Sequence, residues 1–443
     1  MADNDVDAGI SAIRSAALSF TGDPFAATAE TCMTYLSDAI LVMAAGRIRQ
    51  VGPADEILPT LGPEVTVERY PDSLILPGFI DSHVHYPQIQ IIGAGGETLI
   101  DWLDKYTFVA EQAYDNPDHA QQAARQFFDE LLRNGTTTAA VFCTVHPASV
   151  DAFFDEAQKR AMRMIGGKVL MDRHAPGALT DTAQRGYDES KALIDRWHGR
   201  DRLHYAITPR FAASSTPEQL KAAGALWREY PTTYVQSHLA ETQAENAWVA
   251  ALYPDRAGYL DVYDHCGLIG ERSLYGHGIY LSEAEWQRIA ESGTAIAHCP
   301  TSNMFLGSGL FNIGAAKNPD RPVRVGLATD LGAGTSFSML RTMAATYNVA
   351  RLGGQALSAV QAFYLATRGA AEALMLEDKI GSLAPGMDAD LIVLDLKSTP
   401  LIDYRMQFTD TIEEALFVQM TLGDDRAIRA TYIAGDVAYE RGR

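Results

Sequence analysis

The sequence predicts an α/β fold, a TIM-like (β/α)8 barrel carrying a small composite β-sandwich built from both termini. Three observations predict it. Between residues 78 and 375, short apolar runs alternate eight times with helical stretches, the count and length of eight βα units. Both flanks instead show strand-turn-strand patterns. Polar side chains recur at the C-terminal ends of the predicted strands, where a barrel of this kind assembles its active site. Alternation alone does not separate a closed barrel from an open doubly wound sheet.

The N-terminal flank, 1–77, contains a hairpin over 36–53, with apolar strands around an Ala45-Gly46 turn and a Gly52-Pro53 end. The C-terminal flank, 376–443, repeats the look in Ala389–Asp395 and Arg429–Tyr439. Either flank alone would be a marginal sheet with open edges, so one small domain made from both is expected. In the middle, the predicted strands are 79–85, 136–142, 167–172, 203–208, 233–238, 273–277, 294–298 and 323–330. Helices are expected over 120–133, 150–162, 217–229 and 283–292, the last opened by Ser282 as N-cap. The Ala-rich stretch 343–378 reads as helices packed on the barrel.

Nearly half of the 443 residues are apolar, which suits a large core. A formal charge of −20 disfavours nucleic acid and anionic membranes as partners. Cys32, Cys143, Cys266 and Cys299 are far apart and form no C-x-x-C, so reduced, buried thiols are expected. The first seven residues are acidic where a secretory signal is basic, and no apolar run reaches 18 residues, which makes a cytoplasmic protein the default expectation. No glycine-rich dinucleotide or P-loop motif is present.

His83-Val84-His85 ends the first barrel strand. Alternation along a strand points both imidazoles to one side, half of a divalent metal site. His238 and Asp330 end later strands, and three nitrogens with one carboxylate leave a position open for water. That ligand set suits Zn²⁺ or Fe²⁺ and fits Mg²⁺ or Ca²⁺ poorly. Glu241, three residues past His238, either reaches over the metal-bound water or helps cap a helix. His277 could bond that water or an oxyanion, and the His298–Asn303 turn could buttress the site. Arg210-Phe211 sets a guanidinium beside an aromatic face, and Gln88 adds an amide, a combination suited to a flat heterocycle.

The segments Pro77–His85, Gln236–Glu241, Gly276–Gly278, His298–Asn303 and Ala328–Asp330 resemble the metal-dependent amidohydrolase superfamily, in its deaminase branch. Tyr86–Gln88, Trp102–Phe108 with Glu111, Asn134–Thr138, Gly167–Asp172 and Thr208–Phe211 make the chain similar to the guanine deaminase family over about residues 30–440. The resemblance implies a cytoplasmic, homodimeric hydrolase that converts a small-molecule purine base, guanine, to xanthine and ammonia. It implies one Zn²⁺, with Fe²⁺ equally acceptable to His83, His85, His238 and Asp330. Glu241 is then the proton shuttle, His277 orients the hydroxide, Asp330 also accepts the water's proton, and Gln88, Arg210 and Phe211 hold the purine. A second metal lacks its bridge, because strand four leads to Thr208-Pro209-Arg210 and Lys168 is read at the start of strand three. The rivals are a deaminase or chlorohydrolase of the same superfamily acting on 8-oxoguanine, a pyrimidine or an s-triazine, and a non-catalytic barrel used for binding.

Overall fold

The computed structural model describes residues 9–95 and 99–442; the acidic stretch 1–7 lies outside them. Among these residues sixteen strands form two sheets. The first joins the two ends of the chain. It contains β1 (Ser11–Phe20), β2 (Met33–Ala44), β3 (Arg47–Pro53), β4 (Val67–Pro77) and, from the other end, β14 (Leu391–Asp395), β15 (Ile428–Ile433) and β16 (Asp436–Glu440). Their order is β16-β15-β14-β4-β1-β2-β3, antiparallel except for β1 beside β4. The two hairpin turns, Ala45-Gly46 and Ala434-Gly435, hold left-handed backbone at both residues (φ 51° and 74°, 50° and 83°). Turns of that hand match the twist of the flanking strands. Register ties the termini together: Leu391 of β14 lies opposite Pro77 of β4.

Pro77 is also where the chain leaves this sheet, and Phe79 opens the second. There β5 (Phe79–His85), β6 (Thr136–Phe142), β7 (Arg163–Gly167), β9 (Leu203–Pro209), β10 (Tyr234–Leu239), β11 (Ser273–His277), β12 (Ala295–His298) and β13 (Arg324–Leu327) pair in chain order, all parallel. The first and last strands come together through Asp330, whose N–H donates to His83 O at 2.9 Å. Asp81 secures the seam by accepting from Thr329 N at 3.0 Å and from the Thr329 hydroxyl. The sheet is therefore a barrel and not an open doubly wound one. Small residues fill its lower interior: Ala140, Ala206, Ala295 and Ala297 pack with Ile80, Ile165 and the helix Arg368–Ala373.

Strand three departs from its predicted bounds. It begins at Arg163 rather than Gly167, breaks at Lys168 and resumes as β8 (Val169–Leu170). The Gly166-Gly167 pair hid it, since glycine weakens a strand pattern and marks close backbone approach. A Cβ on Gly167 would stand 1.8 Å from Ala206 O. Lys168 accordingly lies near the end of the strand, fully buried, with Nζ turned 2.5 Å from Asp181 Oδ2.

The surrounding helices follow their apolar periodicity. Helix Pro117–Arg133 starts at Asn116, whose side chain accepts from the N–H groups of Asp118 and His119. It buries Ala120, Ala124, Phe127, Phe128 and Leu131 on one face, each phenylalanine contributing about 2–3 kcal/mol by burial. Helix Glu283–Ser292 has the predicted Ser282 cap, completed by Glu285 as a capping box, and stops at left-handed Gly293. All four cysteines are free and buried. Among the described residues no helix is long and apolar enough to cross a membrane.

Candidate active site

The strand ends deliver the predicted polar residues to one place. One ligand atom each from His83, His85, His238 and Asp330 lies within 4.8 Å of the others, in a group that is largely buried. His85 Nε2 stands 3.1 Å from His238 Nε2, and both His83 Nε2 and His85 Nε2 stand 3.4 Å from Asp330 Oδ1. The Arg210 carbonyl fixes the His238 tautomer. It can only accept, so His238 Nδ1 donates to it at 2.6 Å and the Nε2 lone pair faces the cluster. His83 Nε2 and His85 Nδ1 are buried without a hydrogen-bond partner.

Protonation states match the geometry. Burial, reinforced by neighbouring positive charge, lowers His85 and His238 well below the usual imidazole range. Burial also lowers His83. For Asp330 burial acts upward, but the close approach of His83 and the electrostatic pull of His83, His277 and His238 outweigh it and bring the carboxyl to about 2. Three neutral imidazoles and a carboxylate are the ligating forms, so these residues fit a divalent cation. The Cys299 sulfur also lies within 4.8 Å of ligand atoms of His83, His277 and Asp330. Its thiol is a poor ligand, because burial raises it well above the usual range and it donates to Ala297 O.

Glu241, just past the end of β10, and His277, at the end of β11, face the cluster. Glu241 Oε2 is 3.6 Å from His277 Nε2, which is 3.8 Å from Asp330 Oδ2. Burial raises the Glu241 carboxyl to about 7, against the opposing pull of His277. His277 is itself raised, the charges of Glu241 and Asp330 overcoming its burial. Its Nδ1 is held by Asn303 Oδ1 at 2.8 Å, which turns Nε2 toward the site. Glu241 does not cap the following helix; Thr242 does, with Glu245 completing the box and accepting from Glu241 N at 2.8 Å. The backbone at Ala240, His277 and Asp330 has φ of 50°, 73° and 47°, strain of the kind that concentrates at functional sites.

A cavity of about 540 Å³ opens beside the cluster, lined by His85, Gln88, Arg210, Phe211, Glu241, His277 and Asp330 among others. Phe211 meets Trp248 edge-to-face at 5.8 Å on its rim. His298 lies outside the lining, stacked on Phe311 at 4.6 Å. Sequence reasoning did not find the role of two partners. Ser308, in a Gly-Ser-Gly loop, donates to Glu241 Oε1 at 2.7 Å. Glu111, 26 residues beyond His85, accepts from Arg210 Nη1 at 2.7 Å. Neither stands at a strand end, and Glu111 stood out only through the family resemblance.

A parallel barrel with three histidines and an aspartate converging at its C-terminal end defines a hydrolase of the amidohydrolase class, and the Amidohydrolase family model matches residues 74–438. The chain is 48% identical over 411 residues to the guanine deaminase of Escherichia coli, covering 93% of each chain. Among solved structures it superposes on guanine deaminase from Bradyrhizobium japonicum with a TM-score of 0.94 at 35% identity, covering 98% of this chain and 99% of that one. It also superposes on guanine deaminase from C. acetobutylicum with guanine bound in the active site, TM-score 0.86 at 29% identity, covering 97% and 100%. The chain belongs to the guanine deaminase family.

Proposed function

We propose that this enzyme hydrolyses guanine at C2 to xanthine and ammonia, with His83, His85, His238 and Asp330 holding one divalent cation. The observation that carries the reading is the cavity itself. Its lining brings Gln88, Arg210 and Phe211, a set suited to a flat heterocycle, together with Glu241 and His277 beside the cation site. Guanine deaminase relatives, one of them a structure with guanine bound, support the substrate.

A cation in that site acts as a Lewis acid that brings the pKa of water toward neutrality. Asp330 accepts a proton from the attacking water as its oxygen adds to C2. His277 Nε2 orients that water and offsets the negative charge developing on its oxygen. The Glu241 carboxyl, raised to about 7, is protonated in part near neutrality and donates to the ring nitrogen beside C2. The proton taken from water then passes through Glu241 to the amine, the C2–N bond breaks and ammonia leaves, and the proton still on the added oxygen passes to Glu241 as the C2 carbonyl forms. Phe211 and Trp248 offer aromatic faces to the base.

Zinc is the proposed ion, and iron(II) satisfies the same donors. A homodimer, a cytoplasmic location and the division into 1–77, 78–375 and 376–443 complete the proposal. The test is ammonia release from guanine by metal-replete protein, with the metal identified in the same sample and adenine, cytosine, 8-oxoguanine and s-triazines assayed alongside. Guanine turning over fastest is the expected outcome; equal or faster turnover of another substrate overturns the choice.

A further inference from the structure

Behind the Gln88–Arg210 wall stands a carboxylate that the reaction does not use. Glu111 lies on the helical turn Phe108–Glu111, in the excursion between β5 and β6, and is completely buried. It does not line the cavity. Its Oε2 accepts from Arg210 Nη1 at 2.7 Å, and its Oε1 accepts a longer bond, 3.4 Å, from Gln88 Nε2. Phe108, from the same turn, sits under the guanidinium, its ring centre 5.6 Å from Cζ. One short segment thus grips side chains from two separate strand ends.

We infer that Glu111 sets the hydrogen-bonding polarity of the base-reading wall, and so selects 6-oxopurines over 6-aminopurines. The inference rests on the reading of Gln88 and Arg210 as purine contacts. An ionised carboxylate only accepts, so the end of the Gln88 amide that faces it is the NH₂. Gln88 is left with its carbonyl oxygen to offer, an acceptor. Arg210 spends one N–H on Glu111 and keeps other donors. The wall therefore presents a donor beside an acceptor.

A 6-oxopurine carries O6, an acceptor, beside N1–H, a donor, and complements that wall. A 6-aminopurine carries an N–H donor beside N1, an acceptor, and mismatches it at both positions. Mismatch in a buried site leaves polar groups unpaired, which discriminates far more strongly than a change in size. Gly332 keeps Gln88 in place from the other side. A Cβ there would fall 2.1 Å from Gln88 Oε1 and 2.5 Å from its Cβ, and the φ of +116° suits glycine alone. Without the Glu111 charge, the Gln88 amide is free to turn over and present its NH₂ to the base. Glu111 is in this sense a positioning residue, acting through Gln88 and Arg210.

The test is competitive inhibition of guanine deamination by hypoxanthine and by adenine, which differ in this edge alone. Metal-loaded wild type, Glu111→Gln, Gln88→Ala and the double variant are compared. Wild type favours hypoxanthine. In Glu111→Gln that preference falls by about tenfold or more, the scale of one or two lost hydrogen bonds, at unchanged metal content. Adding Glu111→Gln to Gln88→Ala changes the preference little, because the two act as one unit. Equal weakening of both inhibitors, the mark of a merely structural role, overturns the inference, and so does an undiminished preference. Should Glu111→Gln fail to fold, Glu111→Asp, which draws the carboxylate back by one methylene, takes its place, and an undiminished preference there overturns the inference. A wild type that releases no ammonia from guanine defeats the functional reading instead.

Discussion

The two ends of the barrel treat buried polar groups in opposite ways. At the N-terminal end, charges close on one another. Arg163, the first residue of β7, donates to Asp388 at 2.6 Å and also to His204 Nε2 at 3.2 Å. Arg202 pairs with Asp390, whose other oxygen accepts from Ala434 N at 2.8 Å. At the C-terminal end, His83 Nε2, His85 Nδ1, His277 Nε2 and Asn303 Nδ2 are buried with no hydrogen-bond partner. Buried polar atoms are otherwise paired almost throughout folded proteins. The lower end uses these charged groups to join the C-terminal segment to the barrel, with Arg202 Nε alone of the named groups unpartnered, whereas at the upper end the unpartnered nitrogens gather around one cavity.

Glu241→Gln gives the sharpest contrast. It keeps the shape and the Ser308 contact but cannot carry a proton, so turnover falls by roughly 10²–10⁴-fold. Metal content and thermal stability stay near wild type, as read by elemental analysis and calorimetry. Near-normal turnover would remove Glu241 from the chemistry and leave the upper end without its proton carrier.

Arg163→Met tests the other end. Asp388, 5% exposed, keeps Arg47 at 3.1 Å and Arg202 at 3.7 Å but loses its closest partner. Breaking a buried pair from one side costs about 3 kcal/mol, which chemical denaturation would register while turnover per folded enzyme holds. A drop in turnover with unchanged stability would mean that the two ends are not separable.

The contrast also explains what was legible in the sequence. Strand ends are readable because alternation sets which way a side chain points, and His83, His85, His238, His277 and Asp330 all stand at or just past such ends. Glu241 was readable as a neighbour of His238. Glu111 reaches the site from a helical turn between two strands and Ser308 from a loop, and nothing in their local spacing indicates a destination. The bottom network was invisible for a related reason. Arg163 and Asp388 are 225 residues apart, and their meeting depends on how the terminal sheet docks. Strand three was misplaced because glycines that admit the neighbouring backbone also erase the apolar pattern by which a strand is recognised.

His204 turns the comparison into a pH measurement. Its Nε2 faces Arg163 Nη1, which can only donate, so that nitrogen is unprotonated and the proton sits on Nδ1. Burial, then the charge of Arg163, lowers the imidazole to about 3. In the unfolded chain its value returns to about 6.5. Above that pH neither state binds the proton and His204 has no effect on the balance. Below it the unfolded chain is protonated first, so stability falls as pH drops from 6.5 toward 3. The loss from this one residue is about 2 kcal/mol at pH 5 relative to pH 7. Denaturant midpoints for wild type and His204→Gln over pH 4–8 should therefore converge toward acid, with the variant less steep. Burial also lowers His83, His85 and His238, but metal binding competes for their lone pairs, so their share of the acid response should change on metal loading while that of His204 does not. A His204→Gln slope equal to wild type would mean that the lower end tolerates a proton, and the division between the two ends would then rest on ligand binding alone.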